Sequence, residues 1–298
     1  MEVCPVKDTA AKTELNCSSE YGQLLDVLVS EPRHMRIEAK INETQKHFEE
    51  IETNIALQQH RDFVHLLKEE GVNVHQLPSK SHLHEQVFTR DIGFVIGSRF
   101  YISQMKEEVR KGESKELAEW LKGMETYTFQ SPIEGGDVLV DRNTIWVGYS
   151  GRTSMEAIQE LKQQEPEKDV HPLPLADGVL HLDCVLNILD AHTALAFPEA
   201  FTDEGWQMIQ NRFRVIPVTK DETFHMGPNV LSIGLNKVIC LSRHTRLNKK
   251  LEAEGFTVLP VDFSEIIKSG GAFRCCTLPL HRKDPRDHID DIPKKGCR

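Results

Sequence analysis

The chain has no run of about 18 apolar residues, so no segment of it can cross a bilayer as a helix. It has no excess of positive charge. The formal net charge is −10, which argues against a nucleic-acid binder and against an anionic membrane surface as partner. It has no CxxC pair, which speaks against a structural zinc site. The seven cysteines, Cys4, Cys17, Cys184, Cys240, Cys275, Cys276 and Cys297, are odd in number and irregular in spacing. The opening stretch MEVCPVKDTAAKTELNCSSEYG lacks the apolar core of a secretory signal. These absences point to a reduced, cytoplasmic protein. A small cationic ligand remains compatible with the acidic balance, because a locally acidic pocket attracts one.

No Gly-, Ser- or Pro-rich linker divides the 298 residues. A repeat is there instead. Short strands ending in proline recur as VNVHQLP (Pro78), YTFQSP (Pro132), VHPLPL (Pro174), FRVIPV (Pro217) and FTVLPV (Pro260). After a longer first interval, the period is in the low-to-middle forties. Helical stretches precede most of them, at 113–123, 153–164, 202–212 and 245–255. Hairpin patterns follow at 88–102, 136–147, 180–197 and 229–241. Upstream, Leu24–Ser30 reads as a strand, and residues 41–70 carry the apolar spacing of a helix ended by Gly71. The expected fold is α/β: five units of strand, strand, helix, strand, closing into a ring that protects its sheet edges. An open sheet of five such units is the alternative. Residues 1–21 read as a loose leader, 22–282 as the domain, and 283–298 as a mobile charged tail.

The hairpin starts hold the unusual residues. They are Phe88-Thr89-Arg90-Asp91, Ile133-Glu134-Gly135-Gly136-Asp137 and Leu180-His181-Leu182-Asp183. Near the end stands Gly270-Gly271-Ala272-Phe273-Arg274-Cys275-Cys276. A glycine pair allows close backbone approach, and an adjacent arginine favours thiolate over thiol. Singly, each has a bland reading: Asp91 capping a turn, Glu134 pairing with Arg152, His181 satisfied in the core, the two cysteines buried as small apolar groups. Equivalent places in a ring would converge. Carboxylates, a histidine and a cysteine together suit a planar cation attacked by a thiolate.

On "FTRD" at 88–91, "EGGDVL" at 134–139, "GYSGRTS" at 148–154, "HLD" at 181–183 and "GGAFRC" at 270–275, the chain resembles the pentein guanidino-modifying enzymes. These are the arginine deiminases, dimethylarginine dimethylaminohydrolases and amidinotransferases. The resemblance spans roughly residues 22–282 and implies a five-fold pseudosymmetric ββαβ propeller, in agreement with the repeat. It implies Cys275 as nucleophile, with Cys276 at a non-nucleophilic position. It implies His181 as acid and base, Glu134 as its acidic partner, and Asp91 as a clamp on the guanidinium, with Phe88 packing against that plane. Arg152 and, on spacing alone, Arg110 match ligands of the substrate carboxylate. The implied chemistry is covalent, through a thiouronium to a ureido product, with no metal or organic cofactor. The implied partner is a small guanidino compound; self-association is left open. Chain size favours the dimethylarginine hydrolases. Asp183, an acid two residues after His181, favours the deiminases and amidinotransferases. A transferase using an amine acceptor and a non-catalytic ring-shaped relative are the rival readings.

Overall fold

The computed structural model describes residues 13–284. Its strands form five separate three-stranded sheets, one per repeat. In the second unit, β3 (Gly93–Ile96) and β4 (Arg99–Ile102) form a hairpin, α2 (Lys111–Trp120) crosses over, and β5 (Thr126–Thr128) returns parallel to β4. A parallel return needs such a crossover. The third unit repeats this with β6 (Val138–Asp141), β7 (Thr144–Tyr149), α3 (Met155–Gln164) and β8 (Asp169–Pro174). The fourth uses β9 (Leu186–Ile188), β10 (Thr193–Ala196), α4 (Asp203–Arg212) and β11 (Arg214–Pro217). A short α5 (Lys220–Phe224) then leads to the fifth: β12 (Leu231–Gly234), β13 (Lys237–Leu241), α6 (Thr245–Ala253) and β14 (Thr257–Val261).

The first unit is assembled from both ends of the chain. β1 (Gln23–Val29) runs parallel to β2 (Asn73–Gln76) after α1 (Thr53–Glu69), and antiparallel to β15 (Leu278–Lys283). The architecture is the expected α/β propeller of five ββαβ units.

Helices cover the sheets with their apolar stripes. Leu117, Trp120 and Leu121 pack with Val95, Phe100 and Ile102, while Ala157, Ile158 and Leu161 pack with Val138, Val140, Ile145 and Val147. Tight hairpins need left-handed residues, and Arg142, Leu235 and Asn236 supply them at φ 59°, 53° and 57°. A second set of buried groups is polar and joins unit to unit. Arg90 Nε donates to the Gly135 carbonyl, Thr89 Oγ1 to that of Leu28, and Arg282 to those of Gly22 and Ser232.

Two boundaries differ from expectation. The segment 41–70 is not one helix: a 3-10 turn at Thr44–His47 is followed by irregular chain, and α1 begins only at Thr53. The buried Gln45 side chain pulls this stretch away, bonding Glu85 and Ser269. The leader also fails as a loose segment from Asn16 onward. Asn16, Cys17 and Ser19 bridge to His281, Gly97 and Asp141, and Glu20 is buried between Arg274 and Arg90 at 2.6 and 3.1 Å. Residues 1–12 of the leader lie outside the described residues, as does the tail beyond Asp284. Among the described residues no helix is long and apolar enough to cross a membrane.

Candidate active site

The unusual residues do converge. Glu134 and His181 occupy neighbouring places in successive units, each in extended backbone just before a 3-10 turn, Gly135–Asp137 and Leu182–Cys184. That turn aims the side chain inward as the chain enters the hairpin. Gly136 makes the approach possible: a Cβ there would stand 2.8 Å from Asp91 Oδ1 and 2.9 Å from the His181 ring. Gly271 plays the same part beyond, where a Cβ would lie 2.5 Å from the Phe88 ring.

Phe88, Asp91, Arg110, Arg152, Leu180, His181 and Cys275 line one narrow slot, with Ile41 and Asn42 above it. Its free volume is about 10 Å³, room for one water at most. The slot opens on a larger cleft of about 510 Å³ bordered by Tyr149–Arg152 and Pro174–Leu180. Ile41 and Asn42 form a strap between the two. Arg152 holds the Ile41 carbonyl at 2.7 Å, and Asn42 Nδ2 donates to the Ser269 carbonyl at 3.0 Å.

His181 Nε2 lies 2.8 Å from Glu134 Oε2, and both side chains are fully buried. His181 Nδ1 faces Asp91 Oδ1 at 3.5 Å, and neither atom has a hydrogen-bond partner. Burial alone would lower the imidazole's affinity for a proton. The Asp91 charge and the Glu134 hydrogen bond reverse this and raise its pKa to about 10. For Glu134, burial pushes up, but the His181 hydrogen bond and charge prevail and hold it at about 2. The pair is therefore an imidazolium on a carboxylate. Asp137 braces it from below, accepting from Leu182 N–H, Ser150 and Thr153.

The Cys275 sulfur lies 3.7 Å from each carboxylate oxygen of Asp183. Arg274 does not hold that sulfur as a thiolate. Its guanidinium turns to Glu20, with Nε 3.6 Å from Asp183 Oδ2. A hydrogen bond with Cys184 lowers the Cys275 pKa, but burial and the Asp183 and Asp91 charges leave it raised. Burial likewise drives Asp183 upward against the pull of Arg274 and His181. Cys276 is buried, does not line the slot, and has its thiol pushed well up by burial.

The two arginines differ from each other. Arg152 borders both slot and cleft, with NH1 3.4 Å from Glu134, the pairing the sequence offered. Arg110 is neither a solvated helix charge nor a free carboxylate ligand. It is buried, bonded to Asp91 at 2.7 Å and doubly to Glu113 at 3.1 and 2.8 Å. Two groups of potential metal-ligating atoms, His181/Asp183/Cys184 and Asp91/Glu134/His181, cluster within 4.8 Å. Both share His181, whose Nε2 is held by Glu134 at 2.8 Å. The arrangement suits proton transfer and the holding of a planar cation.

Inspection of the motifs missed Glu113, Cys184 and Asn229. A signal for the last existed: positions 91, 137, 183, 229 and 275 fall at a constant interval of 46 residues, carrying Asp, Asp, Asp, Asn and Cys.

The sequence pattern of the family described as N,N dimethylarginine dimethylhydrolase, eukaryotic, matches residues 31–282. The chain belongs to this family. It is thus a guanidino-modifying enzyme of the pentein superfamily. Among curated relatives of this dimethylargininase-family chain, the uncharacterized protein YkgA of Bacillus subtilis is 43% identical over 271 residues, covering 89% of this chain and 95% of YkgA. The N(G),N(G)-dimethylarginine dimethylaminohydrolase of Mycobacterium tuberculosis is 31% identical over 221 residues, 71% of each chain. Among solved structures, the N-terminal domain of ArgZ, an arginine dihydrolase from the cyanobacterial ornithine–ammonia cycle, superposes with a TM-score of 0.82 at 24% identity. That match covers 87% of this chain and 99% of the domain, and it bears on the fold.

Proposed function

We propose that the enzyme hydrolyses a guanidino C–N bond of an arginine-type substrate, releasing an amine or ammonia and a ureido product. The observation that carries this reading is that Asp91 Oδ1 and His181 Nδ1, buried at the slot beside Cys275 and 3.5 Å apart, each lack a hydrogen bond. A buried carboxylate oxygen without a donor is costly, and a guanidinium N–H supplies one. The slot admits that group when the Ile41–Asn42 strap gives way.

A bound guanidinium sets its positive charge beside Cys275 and offsets the Asp183 and Asp91 charges that keep the thiol protonated. The thiol proton passes to solvent, and the resulting thiolate attacks the guanidinium carbon, forming C–S. His181 gives the Nδ1 proton to the departing nitrogen as C–N breaks, because Nε2 is held by Glu134. A thiouronium remains on Cys275. His181, now neutral, takes a proton from water. The hydroxyl adds to carbon, its proton is lost to solvent as C–S breaks, and the ureido product leaves Cys275 as thiolate. Asp91 holds the cation, Phe88 packs along its plane, and Arg152 meets the distal carboxylate.

Dimethylarginine is the substrate favoured by the family relationship. A second reading, removal of ammonia from unmethylated arginine, is favoured by Asp183, a second carboxylate at the reacting sulfur. Methyl groups remove the N–H donors that such a carboxylate needs. The experiment is a panel of arginine, methylated arginines and agmatine assayed for ureido product, with and without added glycine as amine acceptor. Turnover of none of them, or a product that appears only with glycine, would overturn the hydrolase reading.

A further inference from the structure

Besides the Cys184 thiol, a neutral side chain touches the Cys275 sulfur and has no part in the steps above. Asn229 precedes β12 and is fully buried. Its amide is saturated on both ends. Oδ1 accepts from the backbone N–H of Ala272 at 3.1 Å and of Cys275 at 3.2 Å. Nδ2 donates to the Asp183 carbonyl at 3.1 Å and to Cys275 Sγ at 3.0 Å. Backbone N–H groups only donate, so they fix which end of the amide is oxygen. The NH₂ end therefore faces the sulfur. A sulfur so placed must accept, and a charged acceptor binds such a donor about twice as strongly as a neutral one.

We propose that Asn229 is a catalytic residue of this enzyme, whose side-chain amide donates to the Cys275 sulfur whenever that sulfur carries negative charge. The inference rests on Cys275 being the nucleophile. The charge is present twice in each turnover, when the thiolate forms for attack and when it leaves the carbon at the end. The other groups around the sulfur are Asp183 at 3.7 Å, the hydrogen-bonded Cys184 thiol, and the charges of Asp91 and His181. Two are carboxylates that oppose a thiolate. His181 changes its proton during the reaction, and Cys184 can lose its own. Asn229 is the donor among them that no pH change or reaction step removes.

The repeat sharpens the point. Three preceding units carry aspartate at this place, Asp91, Asp137 and Asp183. A fourth aspartate at 229 would turn an acceptor of the same charge toward the nucleophile. The amide keeps the loop-bracing oxygen and replaces the oxygen that would face sulfur by a donor.

The test is the pH profile of alkylation by iodoacetamide, a neutral probe whose own charge does not bias the thiol. Wild type, Asn229→Asp, Asn229→Ala and Cys275→Ser are compared, with peptide mapping of the label. Thermal melts by circular dichroism establish that each variant is folded. We expect Cys275 to carry the label, and its midpoint to rise by about one pH unit or more in Asn229→Asp, about tenfold slower labelling near neutral pH. Asn229→Ala should move the same way. Profiles that coincide in wild type and variants, with Cys275 still labelled, would overturn the role of Asn229. If the aspartate variant does not fold, the alanine variant decides by the same comparison. A wild-type label absent from Cys275 would instead remove the nucleophile assignment, and this inference with it.

Discussion

Glu134 Oε2 and His181 Nε2 meet at 2.8 Å with no solvent around either, and the pair stores a proton on the imidazole far above its ordinary range. This has a signature in stability. The histidine's contribution is fully present below its ordinary 6.5 and is lost as pH rises through about 10. The glutamate's is present above its ordinary 4.5 and lost as pH falls through about 2. The melting-temperature gap between wild type and Glu134→Gln should therefore be widest between pH 4.5 and 6.5, closing on both sides. A gap that stays constant from pH 5 to about 10 would show that the ion pair is not the source.

Cys275→Ser should abolish turnover, whereas Cys276→Ser should keep most of it. Cys276 is buried beside the slot without lining it. Peptide mapping after reaction with a thiol-directed substrate analogue checks the assignment. A label on Cys276 alone would reverse it.

Arg152 and Arg110 should behave differently when truncated. Arg152→Ala should raise KM for arginine-type substrates with an α-carboxylate by roughly one to two decades, about 1.5–3 kcal/mol, and affect agmatine much less. Arg110→Ala leaves Asp91 and Glu113 buried without their cation, and losing one partner of such a pair costs about 3–5 kcal/mol. Urea titration should show that loss, and the arginine-to-agmatine ratio should stay near wild type. A selective loss on arginine in Arg110→Ala would restore it as a carboxylate ligand.

Asp183 is the residue on which substrate choice turns. Asp183→Asn keeps the volume and removes the charge. Under the second reading, kcat/KM for arginine should fall by two or more decades, on the order of 3 kcal/mol, and that for a methylated arginine should fall less. Comparable losses on both, in a wild type that prefers dimethylarginine, would remove Asp183 as the selector.

Much of this was legible in the chain. The recurring prolines and hairpins marked five units because each sheet is local, its strands joined by one helix and one turn. Asp91, His181 and Cys275 were legible because an ionisable group at the mouth of an apolar strand needs a reason. What escaped depended on distant partners. Glu20 sits in a polar stretch, and Arg90 and Arg274, 70 and 254 residues away, make it a core residue. Arg110 was read by spacing from Asp91, while Glu113, one helical turn on, decides how its guanidinium is used. Asn229 carries no charge and so drew no notice, although the repeat interval points straight at it.

The pairing of β15 with β1 has a consequence for biosynthesis. β1 leaves the ribosome early but must wait for residues 278–283 before its antiparallel partner exists. Cys275 lies just ahead of that last strand, so the thiol joins Asp91 and His181 only as the two ends meet. Such a late, long-range contact is slow to form. A nascent chain holding four finished units therefore carries no working thiol chemistry, and the final strand both seals the first sheet and completes the active site.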